Sequence, residues 1–145
     1  MPITSFRGEF RFLSNFHPSP IQLEDGIYAN VEAAFQASKT LNPEERAEIR
    51  NQSSPTMAKR KGRKVTLRSD WEQVKLGIMH ELIRQKFTRH PELKENLLAT
   101  GSEDLIEGNN WNDRFWGVCK GQGLNHLGKI IMAVREELRS EEVGQ

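Results

Sequence analysis

From Asn42 onward the chain is cut into short segments by helix start and stop signals, and these constrain the fold more than any other feature. Asn42-Pro43, with Glu45 three places after the asparagine, combines a capping side chain, a first-turn proline and a capping-box acid. Ser54-Pro55 repeats the start, and Gly62 supplies a stop. Ser69 followed by Glu72 is a second capping box. It opens the longest amphipathic stretch, with Trp71, Val74, Ile78, Leu82 and Phe87 at helical spacing. Pro91 starts a shorter helix that ends near Gly101. After Gly123 a last helix sets Leu124, Leu127, Ile131, Val134 and Leu138 on one stripe.

Ahead of these helices the pattern is extended. "FRGEFRFLSNF" is rich in phenylalanine with alternating charge, and "IQLEDGIYAN" carries Asp25-Gly26 between short apolar segments, which predicts a tight antiparallel hairpin. "DLIEGNNWNDRFWGVCKGQG" holds too many glycines and asparagines for a helix; its "FWGVC" predicts a strand that rejoins the N-terminal hairpin. The expected class is α+β, mainly α: a compact helical domain with a small antiparallel sheet from that hairpin. With 145 residues, 36% of them hydrophobic, the chain is long enough for one real core. No repeat, linker or low-complexity segment divides it, so a single domain over residues 1–145 is expected.

A net charge of +1 gives no overall field toward nucleic acid. One cysteine, Cys119, excludes an internal disulfide and fits a reducing cytoplasm, where it reads as a buried core residue. The start "MPITSFRGEF" lacks the order of a signal peptide, and the longest apolar run, "IIMAV", is far too short to span a bilayer. A soluble cytoplasmic protein without membrane association is expected. His17, His80, His90 and His126 show no paired-ligand spacing and one thiol cannot make a thiolate zinc site, so no structural metal is expected.

Within "VEAAFQASK", residues 31–39, helical geometry places Glu32, Gln36 and Lys39 within about 60° of one another, with Phe35 beside them and Ala33, Ala34 and Ala37 on the far side. The alanines imply close packing against a neighbour. A polar line on a buried helix reads either as one wall of a cleft or as a structural ion pair. Three further stretches carry candidate chemistry, each with a plainer reading beside it. "NNWNDRFWG" sets Asp113 between Trp111 and Trp116, which suits a flat ring needing acid or base help, or a loop pinned by tryptophans with Asp113 capping a turn. "AKRKGRK" crowds Lys59, Arg60, Lys61, Arg63 and Lys64 at a helix end, as a phosphate clamp or as a solvated face favoured by the helix dipole. "GVCKGQGLN", ending on Asn125, is a glycine-rich helix entry whose amides can hold a diphosphate, though it is neither a Walker nor a Rossmann fingerprint.

"FLSNF", "VEAAFQASK", "AKRKGR", "LRSDWEQVK", "LLATG", "LIEGNNWNDRFWG" and "KGQGLNHLGKIIMAVRE" together, in this order and spacing over roughly residues 6–139, resemble the NADAR family, also called the YbiA-like family. The resemblance implies a mainly helical domain with a small sheet and an activity on N-glycosidic bonds. Such enzymes split ribosylated bases: phosphorylated ribosylamino-pyrimidine intermediates of riboflavin synthesis, or ADP-ribose attached to guanine of nucleic acids. Carried over by position, the family's active-site glutamate falls on Glu32, its helix lysine on Lys39 and its loop aspartate on Asp113. Its pocket tryptophans fall on Trp71 and Trp116, with Asn15 and Phe16 of "SNF", preceded by Ser14, at the rim. Gln36, Lys59, Trp111 and Asn125 complete the expected substrate contacts. Riboflavin-type members resemble "EHYFQ" where this chain has "EAAFQ", so the ligand surroundings differ at Ala33.

Breaking a ribose–nitrogen bond builds positive charge on the sugar carbon and negative charge on the departing base, so a site for it wants a carboxylate near the sugar and a proton donor near the base. Glu32 is expected on the ribose side, Asp113 in acid or water activation, and Lys39 as a fixed charge or as an amine that traps opened ribose as a Schiff base. The expected enzyme is an N-glycosyl hydrolase needing no cofactor. Its expected partners are a ribosylated or ADP-ribosylated nucleobase and, through it, modified DNA or RNA. Two other classes stand beside it: a non-catalytic module that binds ADP-ribose or a nucleotide, and a nucleic-acid repair factor docked by the basic run, whose binding would fall steeply with salt.

Overall fold

The computed structural model describes residues 1–144. The chain divides into two compact units, one formed by Asn15–Lys86 and the other by Met1–Ser14 with the residues from Phe87 onward. Among the described residues no helix is long and apolar enough to cross a membrane.

The Asn15–Lys86 unit begins with the expected hairpin. Strands β1 (Ile21–Leu23) and β2 (Gly26–Tyr28) pair antiparallel, Ile21 opposite Tyr28 and Leu23 opposite Gly26. Gly26 takes φ +142°, which its missing side chain permits. Asp25 in the turn accepts from Tyr28 Oη at 2.8 Å and from Arg46 Nε at 2.9 Å, and the Arg46 guanidinium holds its carboxyl below the ordinary range. Helix α1 (Val31–Ala37) follows, then α2 (Pro43–Arg50), α3 (Pro55–Gly62) and α4 (Trp71–Arg89), which enters the second unit at Phe87.

The starts are made by the side chains that signal them. Asn42 accepts from the amides of Glu44 and Glu45, and Ser54 from Met57, a contact worth about 1 kcal/mol per cap. Two capping boxes do not close. Glu45 turns away from its cap: its carboxylate takes the Thr40 hydroxyl at 2.6 Å and the Thr66 amide at 3.0 Å, which staples two loops and is the more favourable use of a charged acceptor. Glu72 pairs with Lys75 at 2.8 Å, and α4 starts at Trp71 behind Asp70 rather than directly behind Ser69. Ala33, Ala34 and Ala37 have no solvent exposure, so the alanine side of α1 is packed as the sequence implies.

In the second unit, "FRGEFRFL" is not extended. Gly8 at φ +58° turns the backbone, and Gly8–Leu13 forms a 3-10 helix that buries Leu13 completely. Two bulky residues, Phe6 and Leu13, reach the core from a coiled path, whereas alternation would have faced every second residue the same way. Ile3 bridges Leu105 in parallel, fixed by Ile3 N to Asp104 O and Ile106 N to Ile3 O, both 2.8 Å. Helix α5 (Pro91–Ala99) precedes strand β3 (Gly108–Asn109), which pairs in parallel with β4 (Val118–Cys119). The "FWGVC" strand therefore does not rejoin the hairpin: β1–β2 and β3–β4 are separate two-stranded sheets. Its partner is chosen by Gly117, whose bare α-carbon lies against the Glu107 carbonyl while Val118 N donates to that oxygen at 2.8 Å. Helix α6 (His126–Val143) buries Leu127, Ile131, Val134 and Leu138; Leu124 lies ahead of the helix and is half exposed, because Asn125 turns left-handed at φ 53° before the first turn.

Candidate active site on helix α1

Helix α1 is short, and its entry is held from two sides. Asn30 caps it, accepting from Ala33 N at 2.8 Å, and Glu32 N donates to the Asn15 carbonyl at 3.1 Å. The "SNF" loop is thereby tied to the first turn. The Asn15 side chain is buried; its amide nitrogen reaches Met79 Sδ at 3.6 Å, and its Oδ1 has no hydrogen-bond partner in the protein. A buried acceptor without a donor costs about 1–3 kcal/mol unless something else supplies one.

On the polar stripe, Gln36 Nε2 donates to Glu32 Oε1 at 2.8 Å, and both side chains are buried. Phe35 beside them tilts against Trp71, with ring centroids 5.1 Å apart at 54°, and Trp71 is 6% exposed. Trp71 is thus a wall of this unit, standing next to the stripe. Lys39 follows the Ser38 cap, its backbone fixed at both ends by Lys39 N to Gln36 O and by Arg68 N to Lys39 O at 2.8 Å. Burial holds the Lys39 ammonium below the ordinary lysine range; the Glu32 carboxylate pulls it back up, and the cations of Arg63, Lys59 and Lys75 push it further down. The Lys39 amine thus feels one carboxylate, from α1, and positive charge from α3, its Arg63 cap and α4.

Lys75 and Met79 escaped the sequence reading. They follow Trp71 at successive intervals of four on α4, and that spacing from the tryptophan was the available signal. Arg63 was visible only as one member of a charge run. Ala33 and Ala34, the two positions where the riboflavin-type pattern differs, are wholly buried on the packed side of α1. A groove of about 810 Å³ in the same unit, lined by Leu23, Asp25, Ser38, Arg46, Arg68 and Val74 among others, excludes Glu32, Gln36 and Lys39. Its cations are already spent, Arg46 on Asp25 and the Ala37 carbonyl, Arg68 on Asp70, so it has little left with which to orient a sugar phosphate.

The remaining expected residues lie on the other unit or at its edge. Asp113 is half-buried and caps its own loop: Oδ1 accepts from Phe115 N at 3.2 Å and Trp116 N at 3.0 Å, while Asn109 brackets its backbone. Trp116 meets Phe115 edge-on at 4.9 Å, and Trp111 is 52% exposed. Asn125 is a clasp, with Nδ2 donating to Leu105 O at 2.9 Å and Oδ1 accepting from Glu107 N at 2.9 Å, so both ends of its amide are used inside the protein. Ser14 and Phe16 are half-buried on either side of Asn15. Among the described residues no cluster of three or more His, Cys, Asp or Glu is placed to hold a metal ion.

Residues 5–139 match the sequence model of the NADAR domain. An N-glycosidase of Nostoc punctiforme is 43% identical over 133 residues, 88% of this chain and 85% of that protein. The N-glycosidase YbiA of Escherichia coli is 42% identical over 132 residues, 89% of this chain and 82% of its own length. The solved NMR structure of E. coli YbiA superposes with a TM-score of 0.88 at 38% identity, covering all of this chain and 88% of the other. The chloroplastic riboflavin biosynthesis protein PYRR of Zea mays is 37% identical over 159 residues, which is 94% of this chain and a quarter of the maize protein. With the family's sequence model spanning most of its length and a solved relative sharing its fold, the chain belongs to the NADAR domain family.

Proposed function

We propose that the protein is an N-glycosidase that cleaves the bond between a phosphorylated ribose and a nucleobase-type nitrogen. The observation that carries this reading is a buried carboxylate, Glu32, held by Gln36 beside Lys39, an amine below its ordinary range. The relatives named N-glycosidases support the reaction class.

Glu32 sits at the ribose, where its charge stabilises the cation that develops at C1 as the base departs. Lys39 has a raised share of neutral amine, which is the nucleophilic form. In the covalent route its Nζ bonds to C1, the C1–N bond breaks, and the base leaves with a proton. Ring opening then gives an imine, which water hydrolyses to the free sugar, its phosphate or diphosphate intact, and the restored amine. In the direct route water attacks C1 and Lys39 remains a fixed charge. Lys59 and Arg63 give the region positive potential that a sugar phosphate or diphosphate needs, while Lys75 is paired with Glu72. Asp113 is assigned to acid or water activation on the family pattern, with Oδ2 the oxygen left over from its loop-capping work.

Two substrate branches fit this chemistry. Ribosylamino-pyrimidine phosphates are favoured by the riboflavin biosynthesis relative, and ADP-ribose on guanine by the family pattern alone. Incubation with ADP-ribosyl-guanosine and with ribosylamino-pyrimidine phosphate, following released base by chromatography, separates them. Turnover of one identifies the branch. Tight binding of either, with no base released at stoichiometric enzyme, rejects the enzyme reading in favour of a binding module.

A further inference from the structure

Gly62 is the last residue of α3, and its backbone lies directly against Gln36 of α1. A Cβ built at this position would overlap Gln36 Oε1 and stand 2.7 Å from Cδ and 2.9 Å from Cβ, distances that real side chains do not tolerate. The helix end does not require a glycine for its turn. Gly62 has no positive φ, and the cap behind it, Arg63, is right-handed at φ −73°. A glycine inside a helix costs up to about 1 kcal/mol against alanine, so the packing must supply the reason for it.

Gln36 supplies that reason. Its Nε2 is given to Glu32, which leaves Oε1 pressed toward Gly62, buried and without a hydrogen bond. Turning the amide over would set its oxygen against the Glu32 carboxylate, acceptor against acceptor, so the observed orientation is dictated by Glu32. One contact therefore gathers two local penalties, a helical glycine and an orphaned oxygen, and both keep an N–H aimed at the same carboxylate.

We propose that Gly62 is a positioning residue for the reaction, acting through Gln36 to hold the Glu32 carboxylate oriented. This rests on the reading of Glu32 as catalytic. With a side chain at position 62 the amide is displaced, and Glu32 loses a donor that favours its charged form, while the Lys39 cation that also acts on it stays in place.

The test is a cycle of Gly62→Ala, Gln36→Ala, the double variant and Glu32→Gln, each assayed for kcat, KM and the pH profile of kcat. Glu32→Gln is the check on the underlying reading: if it remains active, that reading fails whatever Gly62 does. With Glu32→Gln inactive, Gly62→Ala should lower kcat by about tenfold, the loss of one oriented hydrogen bond to a charged group, and move the acidic limb to higher pH with little change in KM. In the Gln36→Ala background the same substitution should change kcat by less than about twofold, because there is no amide left to displace. Equal losses in both backgrounds, or an unmoved pH profile, would overturn the proposal. If Gly62→Ala alone does not fold, the double variant should fold and behave like Gln36→Ala; a double variant that also fails to fold makes the contact one of helix backbones and rejects the role.

Discussion

Gln36 and Glu32 stand one turn apart on α1, joined by an N–H to carboxylate hydrogen bond of 2.8 Å, with both side chains withdrawn from solvent. Burial alone would drive a carboxyl toward its neutral form; a donor fixed by the same helix works against that and locks the rotamer at no cost in loop ordering. The catalytic proposal depends on this pair.

Gln36→Glu replaces the donor with a like charge of the same shape. Two carboxylates at this spacing cannot both ionise readily, so one must hold a proton near neutral pH. The pH optimum for base release should move alkaline by about one unit or more, with the far-UV spectrum unchanged. An unaltered profile would show that Gln36 does not govern Glu32.

Lys39→Arg keeps the positive charge and removes the nucleophile. If the covalent route operates, base release falls by about 10²-fold or more, and borohydride traps a ribosyl adduct on the wild type and not on the variant. Because burial lowers the Lys39 amine, trapping should already be efficient below the pH at which ordinary lysines react, and should rise with pH. Mass measurement of the trapped peptide decides; an unmodified Lys39 during turnover leaves only the water route.

Asp113 carries two candidate duties that substitution separates. Asn retains an oxygen acceptor for the Phe115 and Trp116 amides, whereas Ala removes it at a cost of about 1 kcal/mol. Asp113→Asn should keep wild-type thermal stability while losing about 10²-fold in rate, and Asp113→Ala should lose both. Full activity in Asp113→Asn would reduce the residue to a loop cap.

Lys86 is fully buried, and desolvation brings its ammonium down to about 7. Between that value and the ordinary 10.5 the unfolded chain binds more protons than the folded one, so this group makes unfolding free energy rise with pH across that window. Lys86→Met should remove that part of the slope in urea midpoints measured from about pH 7 to about pH 10. Parallel slopes in the two proteins would show that the amine stays charged in the fold.

The helical part of the fold was legible because capping is local chemistry: Asn42, Ser54 and Pro91 state a helix start within a few residues, and the starts stand where those residues fall. The Asp25-Gly26 hairpin is local in the same sense. What escaped was one local turn and one distant pairing. Gly8 turned a phenylalanine-rich stretch into a 3-10 helix, and the two-residue strand Val118–Cys119 found its neighbour at Gly108–Asn109, a match no short window contains. On the candidate site Glu32 and Gln36 were visible from helical period and the alanines behind them, whereas Lys39 stands past the Ser38 cap, outside the helix whose period placed it on the stripe. Lys75 and Met79 looked like any solvated or apolar position on a long helix, and the bonds of the Asn125 amide to the Leu105 and Glu107 backbone are a distant match of the same kind.

The most direct measurement is single-turnover release of base from ADP-ribosyl-guanosine and from ribosylamino-pyrimidine phosphate, by the wild type and by Glu32→Gln, with binding of each substrate followed in parallel. Release of base from one substrate by the wild type, falling by about 10³-fold in the variant while binding changes by less than about tenfold, is the predicted result. Equal release by the two proteins, or no release by either despite tight binding, would contradict the assignment of Glu32 as the carboxylate of an N-glycosidase.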